Sequence, residues 1–395
     1  MKRFLYMLSA SLACVTLMFV SCSKNDKLAV EEPISPSEAA KYPYSSLDPE
    51  QQKEKLANEA NDFLSQIQDL NKEKSLDVFD AFNNLLEMDA PNVGGNSLSS
   101  AGDIIKINNF YGKFTWQSSS QTWLEEQSNQ LEFNFPVGSS TGKIVVSGVS
   151  SGKNYTYEDY YEYYDYNTGQ WVDEPESTTF ELPKQLSAQL YLGGSEVGSI
   201  QVDADIVDAQ TAPNSAAVSF NFGSYKYAQS YDKAAGKATA YLMKGNAVLI
   251  NLAATLNGNI DNLGNSDNFS GNFTLQMTSD LAFTGTVDYA NYAKEMNQLD
   301  DNYTTDEIYA KGSADAFNKY FDVYLVSVKD KTKIAKLTEK AVLETEYYYG
   351  YTYTYWDTIP ILNFNDSTAV EANVYFSTGF DMVINNFNKF MQSFQ

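Results

Sequence analysis

The side chains best placed to do chemistry in this chain of 395 residues are its 29 tyrosines, set among 51 acids and 27 basic residues with no histidine. Two segments concentrate them. One holds Tyr155, Tyr157, Tyr160, Tyr161, Tyr163, Tyr164 and Tyr166 and closes at Trp171. The other holds Tyr347, Tyr348, Tyr349, Tyr351, Tyr353 and Tyr355 and closes at Trp356. In the second, positions 347, 349, 351, 353 and 355 alternate without a break, so on one strand five phenols share a face, a row about 27 Å long. A flat aromatic row with hydroxyls, and with acids nearby such as Glu158, Asp159, Glu162 and Asp165, suits stacking on sugar rings or gripping a protein surface. The same spacing also suits long hairpin strands whose tyrosines pair across the ladder and keep their hydroxyls wet. The candidate binding residues are therefore Tyr155, Tyr157, Tyr161, Tyr163, Trp171, Tyr347, Tyr349, Tyr351, Tyr353, Tyr355 and Trp356, with both readings open. Each segment has a proline four residues past its tryptophan, Pro175 and Pro360, a weak sign of duplication.

What the chain lacks excludes more than what it holds suggests. Its one arginine, Arg3, and Cys14 lie at the N-terminal apolar run, and Cys22 sits just past it. With that run removed as an export signal, neither Arg nor His is left and one thiol survives. No imidazole means no Ser/His/Asp or Cys/His nucleophile and no His-ligated zinc or iron, and a single cysteine forms neither a thiolate cluster nor an internal disulfide. No cofactor and no metal are expected. Asn257, Asn259 and Asp261 alternate as in a calcium loop, but no glycine follows where one should and no Glu closes it. Losing Lys2 and Arg3 takes the formal charge from -24 to -26, which repels phosphodiester backbones and excludes nucleic acid as a partner. Paired carboxylates are the catalytic apparatus that remains, since glycoside hydrolysis needs two acids at a set separation. Asp203 and Asp205, with Asp208 nearby, have strand spacing but read as a solvated face, so no catalytic residue is assigned and a carboxylate-dependent glycosidase is a minor alternative.

These segments need elements to hold them. A helix should start at Asp48-Pro49-Glu50, where an N-cap acid precedes proline in the first turn, and Leu56, Ala60, Phe63, Leu64, Ile67 and Leu70 keep its spacing. A second, with Leu76, Phe79, Phe82 and Leu86, follows a possible cap at Ser75 and ends before Pro91, making a helical segment over 47–90 that folds as a hairpin or lid. From residue 101 to 395 the period is mostly two, as in Leu131, Phe133, Phe135 and in Val248, Ile250, Leu252, Ala254, Leu256, with turn signals at Gly193-Gly194, Gly223, Gly236 and Gly245. The fold class is mainly β (α+β): a long antiparallel meander forming a twisted open sheet or half-barrel. Its apolar face needs covers, supplied by the N-terminal helices and by helices near 289–299, 305–320 and 380–394. The last carries Phe380, Val383, Ile384, Phe387, Phe390, Met391 and Phe394 on one stripe.

The N-terminus reads as an export signal: Lys2 and Arg3, an apolar stretch from Phe4 to Val20, then Ser21 and Cys22 before a polar run. Phe19-Val20-Ser21-Cys22 resembles a bacterial lipobox, with Phe19 where that family usually has Leu, a relaxation tolerated in Bacteroidota lipoproteins. Ser11-Leu12-Ala13-Cys14 is similar, but cutting there would leave Val15 to Val20 at the new terminus. The resemblance implies a signal peptide over 1–21, cleavage before Cys22, acylation of that cysteine, and a lipid bilayer as partner. Several acyl chains hold a soluble body at a membrane far longer than one. Ser23-Lys24-Asn25-Asp26 resembles a surface-export region but is poorer in acids, so outer-membrane anchoring is expected with its periplasmic or surface face open. Residues 22–46, polar with Pro33, Pro36 and Pro43, read as a tether of about 25 to 30 Å mean reach. Asp357-Thr358-Ile359 and Asp366-Ser367-Thr368 resemble the O-glycosylation acceptor motif of exported Bacteroidota proteins. The expectation is a non-catalytic, anchored envelope lipoprotein that binds a glycan, an apolar ligand or another envelope protein, with a structural role in an envelope assembly as the alternative.

Overall fold

The computed structural model describes residues 32–375, apart from 68, 101–102, 104–106, 108, 166–169, 209–212, 259–268, 349–350, 366–367 and 373–374. Five α-helices lie among the described residues: Pro36–Ala39 (α1), Pro49–Ile67 (α2), Lys74–Met88 (α3), Tyr289–Asn302 (α4) and Asp306–Tyr320 (α5). The other elements described are strands and the short 3-10 turn Leu70–Lys72. The chain divides into two compact units, Lys72–Lys233 and a second that joins Asp26–Asn71 to Ala234–Gln395. The single body expected over 101–395 is thus split at about residue 233, and the helical segment 47–90 is split with it: α2 belongs to one unit and α3 to the other.

In the unit Lys72–Lys233, a small hairpin of β1 (Asn92–Val93) and β2 (Asn96–Ser97) precedes β3 (Gly112–Gln117), β4 (Thr122–Glu126), β5 (Leu131–Val137), β6 (Ser140–Asp165), β7 (Gln170–Leu192), β8 (Ser195–Asp205), β9 (Ser215–Phe222) and β10 (Tyr225–Asp232). The order is β4-β3-β5-β6-β7-β8-β9-β10, open at β4. All pairs are antiparallel except β3 with β5, which run parallel and interrupt the expected meander. Alternation drives the packing. Phe114, Trp116, Leu131, Phe133, Phe135, Ile144, Val146, Leu186, Ala188 and Leu190 occupy one face and meet Val78, Phe82 and Leu86, one stripe of α3 at four-residue spacing. Phe82 is fully buried, its ring 5.0 Å from Phe133 and 5.4 Å from Phe135. The strand β4 is tied to the end of α3 by Trp123, whose N–H donates to the Asp89 carboxylate at 2.9 Å while its indole N–H donates to the Asp89 carbonyl at 3.0 Å. Ser75 does not cap α3. The cap position is Glu73, and Ser75, the second helical residue, is buried against Gly198, where an added Cβ would come within 2.9 Å of the Ser75 Cβ and 2.8 Å of the Asn221 carbonyl. Close approach of helix and sheet decides that position, not capping.

In the second unit the strands β11 (Lys237–Lys244), β12 (Ala247–Asn257), β13 (Ser270–Met277), β14 (Leu281–Val287), β15 (Phe321–Ser327), β16 (Thr332–Tyr348), β17 (Tyr351–Asn363) and β18 (Ala369–Glu371) pair antiparallel in sequence order, open at β18. Helix α2 begins as its sequence predicts: the Asp48 carboxylate accepts from Gln51 N at 2.9 Å and Gln51 Oε1 accepts from Asp48 N at 3.2 Å, a reciprocal cap. Its Leu56 packs with Leu281, Phe283, Leu325 and Leu362. Beside it Lys55 reaches Asp280 at 2.8 Å and Asp330 at 2.5 Å. Asp280 is 2% exposed and also accepts from Ser327 Oγ at 2.7 Å and Lys329 N at 2.8 Å. Burial pushes its carboxyl up, but these donors together hold it below the usual carboxylate range.

Residues 33–46 are not a tether here. Ser35 caps α1, Ala39 is fully buried against Ala282 and Val326, and Thr274 Oγ1 donates to the Ile34 carbonyl at 2.6 Å. Ser45 N donates to the Lys333 carbonyl and Lys333 N to the Pro43 carbonyl, each at 2.8 Å. The sheet face underneath carries small residues, Thr274, Ala282 and Thr284, so a backbone can lie flat on it and the segment needs few apolar side chains of its own. The segments expected near 289–299 and 305–320 are α4 and α5, capped by Asp288 and by Thr305, whose hydroxyl accepts from Ile308 N at 3.3 Å. The stretch 380–394 lies outside the described residues.

Candidate functional site

Each unit extends one hairpin beyond the reach of its neighbouring strands. In the second unit, β16 pairs with β15 only as far as Leu337, and β17 pairs with β18 only from Ile361. Between these limits the ten pairs from Glu339↔Pro360 to Tyr348↔Tyr351 form a two-stranded ribbon. Residues directly opposite share a face. One face therefore carries Tyr351, Tyr353 and Tyr355 with Glu346 opposite Tyr353 and Glu344 opposite Tyr355, and Asp357 follows on the same face opposite Val342. The other carries Tyr347 opposite Thr352, Thr345 opposite Thr354, and Leu343 opposite Trp356.

This register corrects the five-phenol row. The chain reverses between Tyr348 and Tyr351, so Tyr347 falls on the opposite face from Tyr351, Tyr353 and Tyr355, and Tyr349 lies outside the described residues. Trp356 also sits on the Tyr347 face. At its base that face is backed by α5, where Lys311 Nζ stands 5.2 Å from the Trp356 ring centroid and Asn318 brackets the Glu339 backbone with two bonds of 2.8 Å, while further out Leu343 and Tyr347 are 56% and 74% exposed. The three-tyrosine face is open to water: Tyr351 is 68% and Tyr353 53% exposed, with Tyr355 half-buried. The Tyr355 hydroxyl donates to Glu344 Oε2 at 3.3 Å, and its pKa is raised by desolvation and by the charges of Glu346, Glu344 and Asp357. On the α5 side, burial and the Asp357 charge push Glu339 up to about 7.

In the first unit, β6 pairs with β5 only as far as Val146 and β7 with β8 only from Gln185. Thirteen pairs from Lys153↔Leu182 to Asp165↔Gln170 then form the other ribbon. Register places Tyr155, Tyr157, Tyr161 and Tyr163 on one face, opposite Phe180, Thr178, Glu174 and Val172. Trp171 pairs with Tyr164 and falls on the other face. Asp159 stands opposite Glu176, and Glu162 opposite Asp173. Tyr155 is half-buried and Tyr164 is exposed; Tyr157, Tyr161, Tyr163 and Trp171 are placed by backbone alone.

Sequence reasoning missed Glu344, Glu346 and Asp357 as members of the tyrosine face, although the alternation of Glu344 and Glu346 was a signal for it. It also misread Asp203, which is 2% exposed and holds amide hydrogens of Gln185 at 2.8 Å and Gln201 at 3.1 Å instead of lying on a wet face. Asp205 by contrast is exposed and takes the Asn214 amide at 3.1 Å. Cys22 lies outside the described residues. Among the described residues no three Cys, Asp or Glu side chains gather as a metal cage, and no helix is long and apolar enough to cross a membrane. Compared with family models, with curated proteins and with solved structures, the chain matches none of them.

Proposed function

We propose that this chain is a non-catalytic envelope lipoprotein, anchored to the outer membrane through acylated Cys22, that works as a binding module for a glycan, an apolar ligand or another envelope protein. The observation that carries the reading is the open tyrosine face: Tyr351 and Tyr353, both more than half exposed, lie side by side on a ribbon that no third strand flanks among the described residues. Large aromatic side chains left in water on a preformed strand bring contact area at little conformational cost, which is what recognition surfaces use. The absence of His and of any mature Arg supports binding without catalysis. The β6–β7 ribbon favours the structural alternative, a place in an envelope assembly, because a lone two-stranded ribbon is marginal in water and gains from a partner.

Two measurements test the reading. Mass spectrometry of the native product should find the leader gone and lipid on Cys22; an intact leader or an unmodified terminus removes the anchor. Tyr351→Ala with Tyr353→Ala should abolish binding on a panel of envelope glycans and proteins while the fold, by circular dichroism, is unchanged. Undiminished binding by that variant sinks the ribbon as the binding surface.

A further inference from the structure

Two tyrosines elsewhere in the same unit show what a phenol–carboxylate pair does in this protein. The Tyr320 hydroxyl donates to Glu295 at 2.8 Å, and Lys319 completes the pair, with Nζ 2.6 Å from Glu295 and 4.7 Å from the Tyr320 ring centroid. The Tyr324 hydroxyl donates to Asp322 at 3.1 Å, and there Lys336 lies 2.8 Å from Asp322 and 5.7 Å from the Tyr324 ring centroid, with Lys333 also 4.8 Å from that ring. In both, an ammonium bridges the ring and the acid beside it, gaining from the ring quadrupole and the carboxylate together. Tyr355 and Glu344 repeat the arrangement at 3.3 Å, with no lysine at the pair among the described residues. Tyr353 opposite Glu346 repeats it by register one step further out.

Resting on the proposed binding role of this ribbon, we infer that its Tyr351–Tyr353–Tyr355 face takes the lysine side chains of an extended basic polypeptide from a partner protein. The occupant follows from charge and from spacing. On that face, Glu344, Glu346 and Asp357 stand among the tyrosines, and Lys340, opposite Ile359, is set back from them. The whole chain, at -24, attracts cations and repels anionic polymers. Tyrosines at alternate positions of a strand recur about every 7 Å, the distance at which side chains recur on one face of an extended peptide. A chain with lysine at every second residue therefore meets successive ring and acid pairs in register; a small amine would meet one.

The test titrates the full-length protein with a labelled (Lys-Thr)5 peptide and with a peptide of equal charge whose five lysines are contiguous, reading fluorescence anisotropy. The alternating peptide should bind more tightly. Glu344→Gln with Glu346→Gln should weaken it about fivefold and flatten its salt dependence. A control pair, Glu87→Gln with Glu125→Gln, removes as much charge from exposed positions outside the ribbon and should weaken it by less than about twofold. Tyr351→Phe with Tyr353→Phe should keep binding, because the rings remain. Equal losses in the two glutamine pairs, or no preference for alternating lysine, overturns the inference as general charge attraction. If Tyr351→Ala with Tyr353→Ala abolishes binding of a neutral glycan while the Glu344/Glu346 variant keeps it, the inference falls and the binding role stands.

Discussion

The two tyrosine ribbons have similar composition and differ in what each acid meets across the ladder. On β16–β17 every acid stands opposite a tyrosine, a proline or a valine, and the base of one face is backed by α5. On β6–β7, Asp159 meets Glu176 and Glu162 meets Asp173, and the ribbon runs about 40 Å against about 30 Å for the other at 3.3 to 3.4 Å per residue. Like charges directly opposite each other destabilise a pair of strands, while acid opposite phenol can hydrogen-bond, as Glu344 and Tyr355 do. Residue types alone thus do not make the surface; the partner across the ladder does. The β16–β17 ribbon has one acid–phenol bond in place, Glu344 with Tyr355, while the register of the β6–β7 ribbon sets acid opposite acid.

The largest expected effect removes the backing from one ribbon only. Phe317 is buried on α5 and stacks on Phe321 at 4.5 Å. Phe317→Ala should lower stability by about 3 kcal/mol in denaturant titration. It should also speed amide exchange across 339–360 and leave 153–182 unchanged; equal acceleration in both would erase the distinction between backed and unbacked ribbons.

Next is pH. Glu339 has its folded pKa raised to about 7 from 4.5, so the stability it lends in the protonated form is complete below about 4.5 and is lost as pH rises through 7. Glu339→Gln, neutral throughout, should be more stable than the parent at pH 8 by on the order of 2 kcal/mol. The gain should fade toward pH 5. Asp280 works in the other direction: its lowered pKa lends stability above the usual carboxylate range that is lost on acidification. A melting temperature for Glu339→Gln that tracks the parent across this window would refute the buried-carboxyl account.

The smallest effect sharpens the charge argument. Asp159→Asn with Asp173→Asn should slow amide exchange within 153–182, by about 0.5 kcal/mol for each relieved pair. Glu346→Gln, opposite Tyr353, should bring no such gain to the other ribbon.

How much of this could be read beforehand depended on whether the signal was local. The caps at Asp48 and Thr305 and the alternation of Leu131, Phe133 and Phe135 are decided by nearest neighbours along the chain, and they hold in the fold. The split of the phenol row was half visible: Gly350 between two tyrosine runs marks a reversal, yet unbroken parity from 347 to 355 argued for one strand, and only register separates the faces. Three features depended on distant residues. Ala39 is buried because Ala282 and Val326 are small enough to admit it, Ser75 packs on Gly198 instead of capping, and Asp203 is covered with two glutamine amides in attendance. The parallel pairing of β3 with β5 likewise has no local signature.

The central claim is that the open face of the β16–β17 ribbon is where this protein meets its partner. Hydrogen–deuterium exchange on the full chain, with and without saturating (Lys-Thr)5 peptide, addresses it directly. Slowed exchange concentrated in 339–360 is the predicted result; protection that spares this ribbon, or that spreads evenly over every acidic surface, would contradict it.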